Sequence, residues 1–247
     1  MNRAHLFLSI MLALAGPAGA ATVSMAFGDN LPPFILVRED AGIEVEVVRE
    51  ALAYRGHVLQ ARYLPMGRIP VTFKAGGVDA IMMDVGEDMT RHGGHYASAP
   101  VIYDNVFYTL ASRGLQIRRP QDLQGHSVNA FVGAAVRYPS WLQPLVRSRD
   151  YVENNRQEAQ PQLLALGRYE VVLSDRSIFQ YYTRLLKQRQ PGFVMPALDE
   201  HSFIRADPND YRPVFRNAAI RDDFNAGLAQ LHKSGRYRAI YDKYLKD

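Results

Sequence analysis

The sequence contains no cysteine. That absence excludes disulfide scaffolds, thiol nucleophiles, thiolate zinc sites and cysteine-ligated iron–sulfur clusters. Charge of one sign is scarce as well: the formal net charge is +4, and no stretch is a run of lysine and arginine. Such a diffuse charge does not make a nucleic-acid surface, so no nucleic-acid partner is expected. Beyond the first twenty residues no segment stays apolar over the roughly twenty positions that a spanning helix needs. What is present is 247 residues, 47% hydrophobic and 22% charged with both signs mixed. This is the profile of an ordinary globular protein, long enough for one large domain or two smaller lobes.

The first twenty residues read as a targeting segment. Met1 to His5 is a short, mildly basic start, Leu6 to Ala15 is apolar, and Gly16-Pro17 breaks the run. Ala18-Gly19-Ala20 supplies the small-x-small pattern of a signal-peptidase site, so cleavage is expected after Ala20 and export to the periplasm follows. The apolar run is too short for an anchor. Losing Arg3 takes the formal charge from +4 to +3.

The rest alternates strand and helix. Thr22 to Phe27 reads as a strand, Asp29 to Pro33 as a loop, and Ile43, Val47, Val48, Ala51 and Leu52 recur at helical spacing before Gly56. His57 to Leu64 alternates as a strand, and a short helix from about Gly67 to Ala75 precedes a buried strand, Val78 to Met83. The layout then repeats. Strands are predicted at 105–112, 127–132, near 151–152 and at 169–173, with helices from Ala134 and over 161–166 and 176–188. Two helices, 220–233 and 236–246, close the chain. Such alternation implies two α/β lobes, each a mostly parallel sheet flanked by helices, with a ligand cleft at facing strand ends.

Several segments carry a resemblance. They are Asp29-Asn30-Leu31-Pro32-Pro33-Phe34, Gly42-Ile43-Glu44-Val45-Glu46-Val47, Gly77-Val78-Asp79-Ala80-Ile81 and Tyr96-Ala97-Ser98-Ala99-Pro100. Further on are Asp122 to Val128, Leu166 to Asp175, and Ser234 to Leu245. In this order the chain resembles the extracytoplasmic solute-binding proteins of family 3, the polar amino acid receptors of ABC importers. Leu64-Pro65-Met66-Gly67-Arg68 is similar to a subgroup of uncertain ligand that carries Pro-Trp-x-Arg, with Met66 in place of the aromatic. The resemblance implies a two-lobed, type II periplasmic-binding fold. Lobe 1 is expected over residues 21–107 and 196–247 and lobe 2 over 108–195, with hinges near 108–113 and 191–199. It implies a monomer, a small-molecule solute, an ABC permease in the inner membrane as partner, and no cofactor.

The resemblance also implies the site. An α-amino acid needs a guanidinium for its carboxylate and an acid for its ammonium. Arg91 falls at the spacing of the family's carboxylate-binding arginine. With 24 arginines in the chain, a solvated surface role competes with that reading. The preceding loop offers Gly86 and Asp88 where the family has hydroxyls. Asp175 stands where the family places its amino-group acid, and it is equally well placed to cap the following helix. Asp29 is the opposing acid, and Leu31 replaces a stacking aromatic. Ala134 and Ala135 replace a Ser/Thr at a helix start but keep their N–H groups. Arg68 reads equally as a cleft or a surface residue. Trp141, the sole tryptophan, reads better as core than as cleft.

An enzyme is the competing class. Cyclohexadienyl dehydratase resembles this family and uses a cleft carboxylate, for which Glu44, Asp175 or Glu170 would be candidates. No Ser/His/Asp arrangement is visible, and His92 and His95 flank Gly93-Gly94, a loop rather than a metal-binding helix. The reading the residues favour is a non-enzymatic receptor for a small polar solute, probed best by ligand-induced stabilisation. A non-transport accessory or sensor protein is the remaining alternative.

Overall fold

The computed structural model of the protein describes residues 19–205, 207 and 210–246. The leader expected over residues 1–20 lies outside these apart from Gly19 and Ala20. Among the described residues no helix is long and apolar enough to cross a membrane.

The chain first builds β1 (Thr22–Phe27), α1 (Ile43–Ala53), β2 (Val58–Tyr63), α2 (Ile69–Lys74), β3 (Ala80–Ile81) and β4 (His95–Tyr96). It crosses over and forms β5 (Asn105–Leu110), β6 (Val128–Phe131), α3 (Ala134–Arg137), α4 (Pro139–Leu142), β7 (Tyr151–Asn154), α5 (Gln160–Ala165), β8 (Val171–Asp175), α6 (Arg176–Arg189) and β9 (Leu198–His201). It then returns through β10 (Val214–Phe215), α7 (Ala218–Ser234) and α8 (Arg236–Leu245).

Burial explains the strand order. In β1, Val23, Met25, Ala26 and Phe27 are all buried, the mark of a strand covered on both faces. It sits between β2 and β3 in a sheet ordered β2-β1-β3-β10-β4. β2 alternates exposed and half-buried residues, as an edge strand does. The second sheet is ordered β7-β6-β8-β5-β9, so the two sheets share one layout. In each, the central βαβ strands pair in parallel. A single strand runs against the others: β10 pairs antiparallel with β3 and β4, and β5 with β8 and β9. The short helices α2 and α5 both end in a glycine of positive φ, Gly76 at 76° and Gly167 at 64°. Each glycine turns the chain directly into the next sheet strand without the steric penalty a Cβ would add.

Strand pairing moves the lobe boundaries from those expected. Phe107 pairs with His201 and Leu110 with Leu198, so 105–107 and 198–201 belong to the second sheet. The hinges expected near 108–113 and 191–199 therefore overlap β5 and β9. The described residues that pass between the sheets are 97–104 on the way out and 202–205, 207 and 210–213 on the return. β4, β9 and β10 are too short or too polar for hydropathy alone to announce them.

Each lobe has its own core. The first is built from β1, the apolar stripe of α1 and the facing side of α7, including Phe224 and Leu228. The second gathers Phe107, Leu142, Leu173 and Trp141, whose ring lies 5.6 Å from Phe107 and 5.2 Å from Phe203. Trp141 is thus a core residue. α6 joins the lobes: Ile178 packs into the first-lobe core, and Gln180 and Arg184 donate to the carbonyls of Leu245 and Lys246 at 3.2 and 2.9 Å.

The return of the C-terminal helices rests on a close approach. A Cβ added to Gly227 in α7 would fall 1.9 Å from the Ala51 carbonyl oxygen of α1. Glycine inside a helix costs roughly 1 kcal/mol relative to alanine, and here contact between the two helices offsets it. Gly227→Ala is expected to destabilise the protein by about 1–3 kcal/mol, the cost of overpacking a rigid contact. Thermal denaturation checks this against Gly67→Ala, where nothing lies within 4 Å and the midpoint should hold.

Candidate functional site

A cleft of about 330 Å³ lies where the carboxyl ends of the parallel strands of both sheets meet. The first lobe contributes Gly28 and Asp29 after β1, Met66 after β2 and Met83 after β3, with Leu31 and Ile35 from the loop before α1. The second contributes Phe131 and Val132 after β6, Asn154 and Asn155 after β7, and Asp175 at the end of β8. Strand ends are where open α/β sheets expose backbone and loop groups to a ligand. Two other hollows, of about 530 and 340 Å³, border residues 96–102 with α7 and the flank of α6. Neither brings the strand ends of both sheets together.

The floor of the cleft is aromatic. Tyr103 and Tyr211, one from each crossing segment, meet edge-on with ring centres 4.9 Å apart, and Phe34 lies 4.5 Å from Tyr103 on the other side. Tyr211 holds a positive φ of 52°, an unfavourable conformation for a bulky residue that marks a constrained turn at the cleft. The Tyr103 hydroxyl donates to Glu44 Oε2 at 2.9 Å. Glu44 is fully buried, its Oε1 has no hydrogen-bond partner among the described residues, and burial pushes its carboxyl up to about 7 against the pull of the Tyr103 hydrogen bond. It lies behind the floor and does not line the cleft.

Among the residues lining the cleft, three carry formal charge: Asp29, Arg137 and Asp175. Asp175 is 2% exposed. Its Oδ1 accepts the Ser177 and Ile178 N–H groups at 2.9 and 3.1 Å, capping α6, and its Oδ2 accepts the Asp104 N–H at 2.7 Å. Burial nonetheless pushes the carboxyl up to about 7, against those three donors. Arg137, at the end of α3, is half-buried with its guanidinium 4.9 Å from the Tyr211 ring centre. Its Nε donates to the Tyr138 hydroxyl at 3.1 Å and its Nη2 to Asp210. Asp29 is exposed in the cleft and makes no ion pair among the described residues.

The structure brings Asp29, Leu31 and Asp175 to the cleft and places the other expected residues elsewhere. Arg91 is 82% exposed and lies 3.5 Å from Asp88. Asp88 caps a 3-10 turn at 89–92 by accepting the Thr90 N–H at 3.0 Å. Gly86 donates its N–H to Asp84 at 2.9 Å, so this loop satisfies itself and turns no donor to the cleft. Arg68 is exposed just before α2 and does not line the cleft, while Met66, 48% exposed, does. Ala134 and Ala135 are buried at the start of α3, and the N–H groups of Gly133 and Ala135 already donate to the Glu153 carboxylate at 2.7 and 2.8 Å. Tyr151 donates to the same carboxylate at 2.6 Å, and these partners hold the Glu153 carboxyl below its ordinary range. A helix start free for a ligand anion would require that carboxylate to be absent. His92 lies 3.6 Å from Glu87, and the described residues hold no cluster of three metal-ligating side chains.

Arg137, Tyr103 and Tyr211 are not among the residues the sequence singles out. Arg137 follows the helix start by three residues, and its position after β6 was the available signal. Nothing local marks Tyr103 or Tyr211, which meet only because the two crossings run side by side.

With this geometry the family relation can be stated. The chain belongs to the bacterial extracellular solute-binding proteins, family 3, which it matches over residues 23–247. No curated protein matches it by sequence. Among solved structures, the second substrate-binding domain of GlnP from Lactococcus lactis, in an open conformation, is similar at 20% identity and a TM-score of 0.61, covering 92% of this chain and 96% of that one. An ancestral arginine-binding protein bound to glutamine is similar at 17% identity and 0.56, covering 92% and 98%. A histidine kinase sensor domain with similarity to periplasmic binding proteins is similar at 22% identity and 0.56, covering 91% and 96%. At these identities the likeness is one of fold.

Two outcomes follow from the buried acids. Asp175→Asn leaves one acceptor oxygen for three N–H groups and turns an amide N–H toward the Asp104 donor. It should lower stability by about 1–3 kcal/mol, the cost of an unsatisfied buried donor, in chemical denaturation. For Glu44, the folded-state value near 7 exceeds the unfolded value of 4.5. The unfolded chain therefore ionises first as pH rises, and stability is lost between about pH 4.5 and 7 and then levels. Glu44→Gln removes this slope, so its stability relative to the parent should rise by roughly 3 kcal/mol between pH 4.5 and 8. Parallel denaturant titrations at the two pH values check it.

Proposed function

We propose that the protein is a periplasmic receptor that captures a small polar solute, an amino acid or related amine-bearing compound, and delivers it to an ABC permease. The observation that carries this reading is the interlobe cleft, lined on the first lobe by Asp29, which makes no ion pair among the described residues, and on the second by the Arg137 guanidinium. An amine-bearing solute suits Asp29, and the family and the GlnP domain supply the transport context. The first twenty residues supply the route to the periplasm, with cleavage after Ala20.

Binding without bond chemistry is the reading the acids support. Glu44 lies behind the cleft floor, and Glu170 is engaged by the Ser127 N–H at 3.1 Å and by Arg113 at 3.0 Å. Asp175, the third candidate acid, has both oxygens occupied by backbone donors.

In this reading the lobes close about the two crossings between the sheets while each sheet moves as a body. A panel of amino acids, amines and organic acids tested by thermal shift should contain a compound that raises the midpoint by roughly 5–10 °C at about a hundredfold excess over its Kd. The same compound should reduce the radius of gyration in small-angle scattering. Saturable binding with an unchanged scattering curve would exclude closure, and turnover of a prephenate-like acid would mark an enzyme instead.

A further inference from the structure

The cation lining the cleft stands on the lobe opposite to the one the family resemblance implies, while Asp29 is the acid expected on the first lobe. That resemblance puts the carboxylate-binding arginine, Arg91, in the first lobe and the ammonium-binding acid, Asp175, in the second. In the structure Arg91 stands 82% exposed outside the cleft. Asp175 has both oxygens taken by backbone N–H groups. The remaining formal charges that line the cleft are Asp29 on the first lobe and Arg137 on the second.

We infer that the protein binds a zwitterionic amino acid in reversed polarity, its carboxylate on Arg137 of the second lobe and its ammonium on Asp29 of the first. This rests on the receptor reading above and deepens it. The guanidinium is built for the role. Tyr138 and Asp210 hold Nε and Nη2, and the Tyr211 ring supports the plane from one side, so the group is oriented before a ligand arrives. Nη1 has no partner among the described residues, leaving donors for a carboxylate oxygen. The competing anion donors of this wall, the N–H groups of Gly133 and Ala135, are already taken by Glu153. The first-lobe wall is otherwise lined by Leu31, Ile35, Met66 and Met83, so Asp29 is the one charged group lining it among the described residues, and these side chains give an apolar bed for the ligand's side chain.

The test uses the mature wild-type chain and the twenty standard L-amino acids. The tightest binder of that panel is compared in calorimetry with its carboxamide and its N-acetyl derivative. The wild type should prefer the free amino acid over either derivative by about tenfold or more, the scale of a charge-assisted hydrogen bond. Arg137→Gln should weaken the amino acid by about tenfold or more and collapse its preference over the carboxamide. Asp29→Asn should collapse the preference over the N-acetyl derivative instead. An Arg137→Gln variant that keeps wild-type affinity and preference overturns the inference and leaves the receptor reading standing. Should that variant not fold, a crystal structure of the wild type with the same amino acid decides: a carboxylate on Arg137 supports the inference, and a carboxylate on the first lobe overturns it. If none of the twenty amino acids binds the wild type, the receptor reading for amino acids fails and the inference fails with it.

Discussion

The Asp175 carboxylate is the joint on which the cleft depends. It ends β8, caps α6 and holds the backbone of Asp104 where the chain enters the second sheet. α6 in turn lays Ile178 into the core of the first lobe and donates to the last residues of α8. One side chain thus ties a strand end, a helix start and a crossing segment together, and a buried acceptor with three donors is costly to disturb. The cleft opens directly over this joint.

The polar wall of the second lobe is organised by the same economy of buried groups. A helix start at the end of β6 exposes N–H groups that need an acceptor. Glu153, from the neighbouring β7, supplies it from within the protein and is itself held by Tyr151. The consequence is a wall whose own anion requirement is met, and among the described residues the one cationic side chain lining the cleft is Arg137. Asp210 and Tyr211, from the returning crossing, keep that side chain in place. Cleft lining and lobe connection therefore share residues: Tyr103 and Tyr211, which line the cleft, belong to the two crossings themselves. A change in how the crossings lie against each other would move the floor and Arg137 together.

Glu44 adds a constraint of a different kind. A carboxyl with one oxygen unpartnered among the described residues, wholly buried beneath the floor, is tolerated because it stays largely protonated well above the ordinary carboxylate range. Its hydroxyl partner, Tyr103, belongs to the first crossing.

Much of the architecture was legible in the residues. The apolar run of β1, the helical stripe from Ile43 to Leu52 and the paired glycine turns at Gly76 and Gly167 record local propensity and burial, and these are properties of sequence. The repeated layout foretold two sheets of one topology, and Asp175 was legible as a helix cap because a capping residue acts over three positions. The placement of Arg91, Asp88 and Gly86 was not legible, since their loop satisfies its own donors and acceptors and turns away from the cleft. Nor were the strands β4, β9 and β10, which owe their form to partners far along the chain. From its residues alone the chain declared its principal strands and helices, their order and the family resemblance. Only the tertiary structure decided which charges face the cleft, because a side chain's access and partners depend on groups brought close from distant segments.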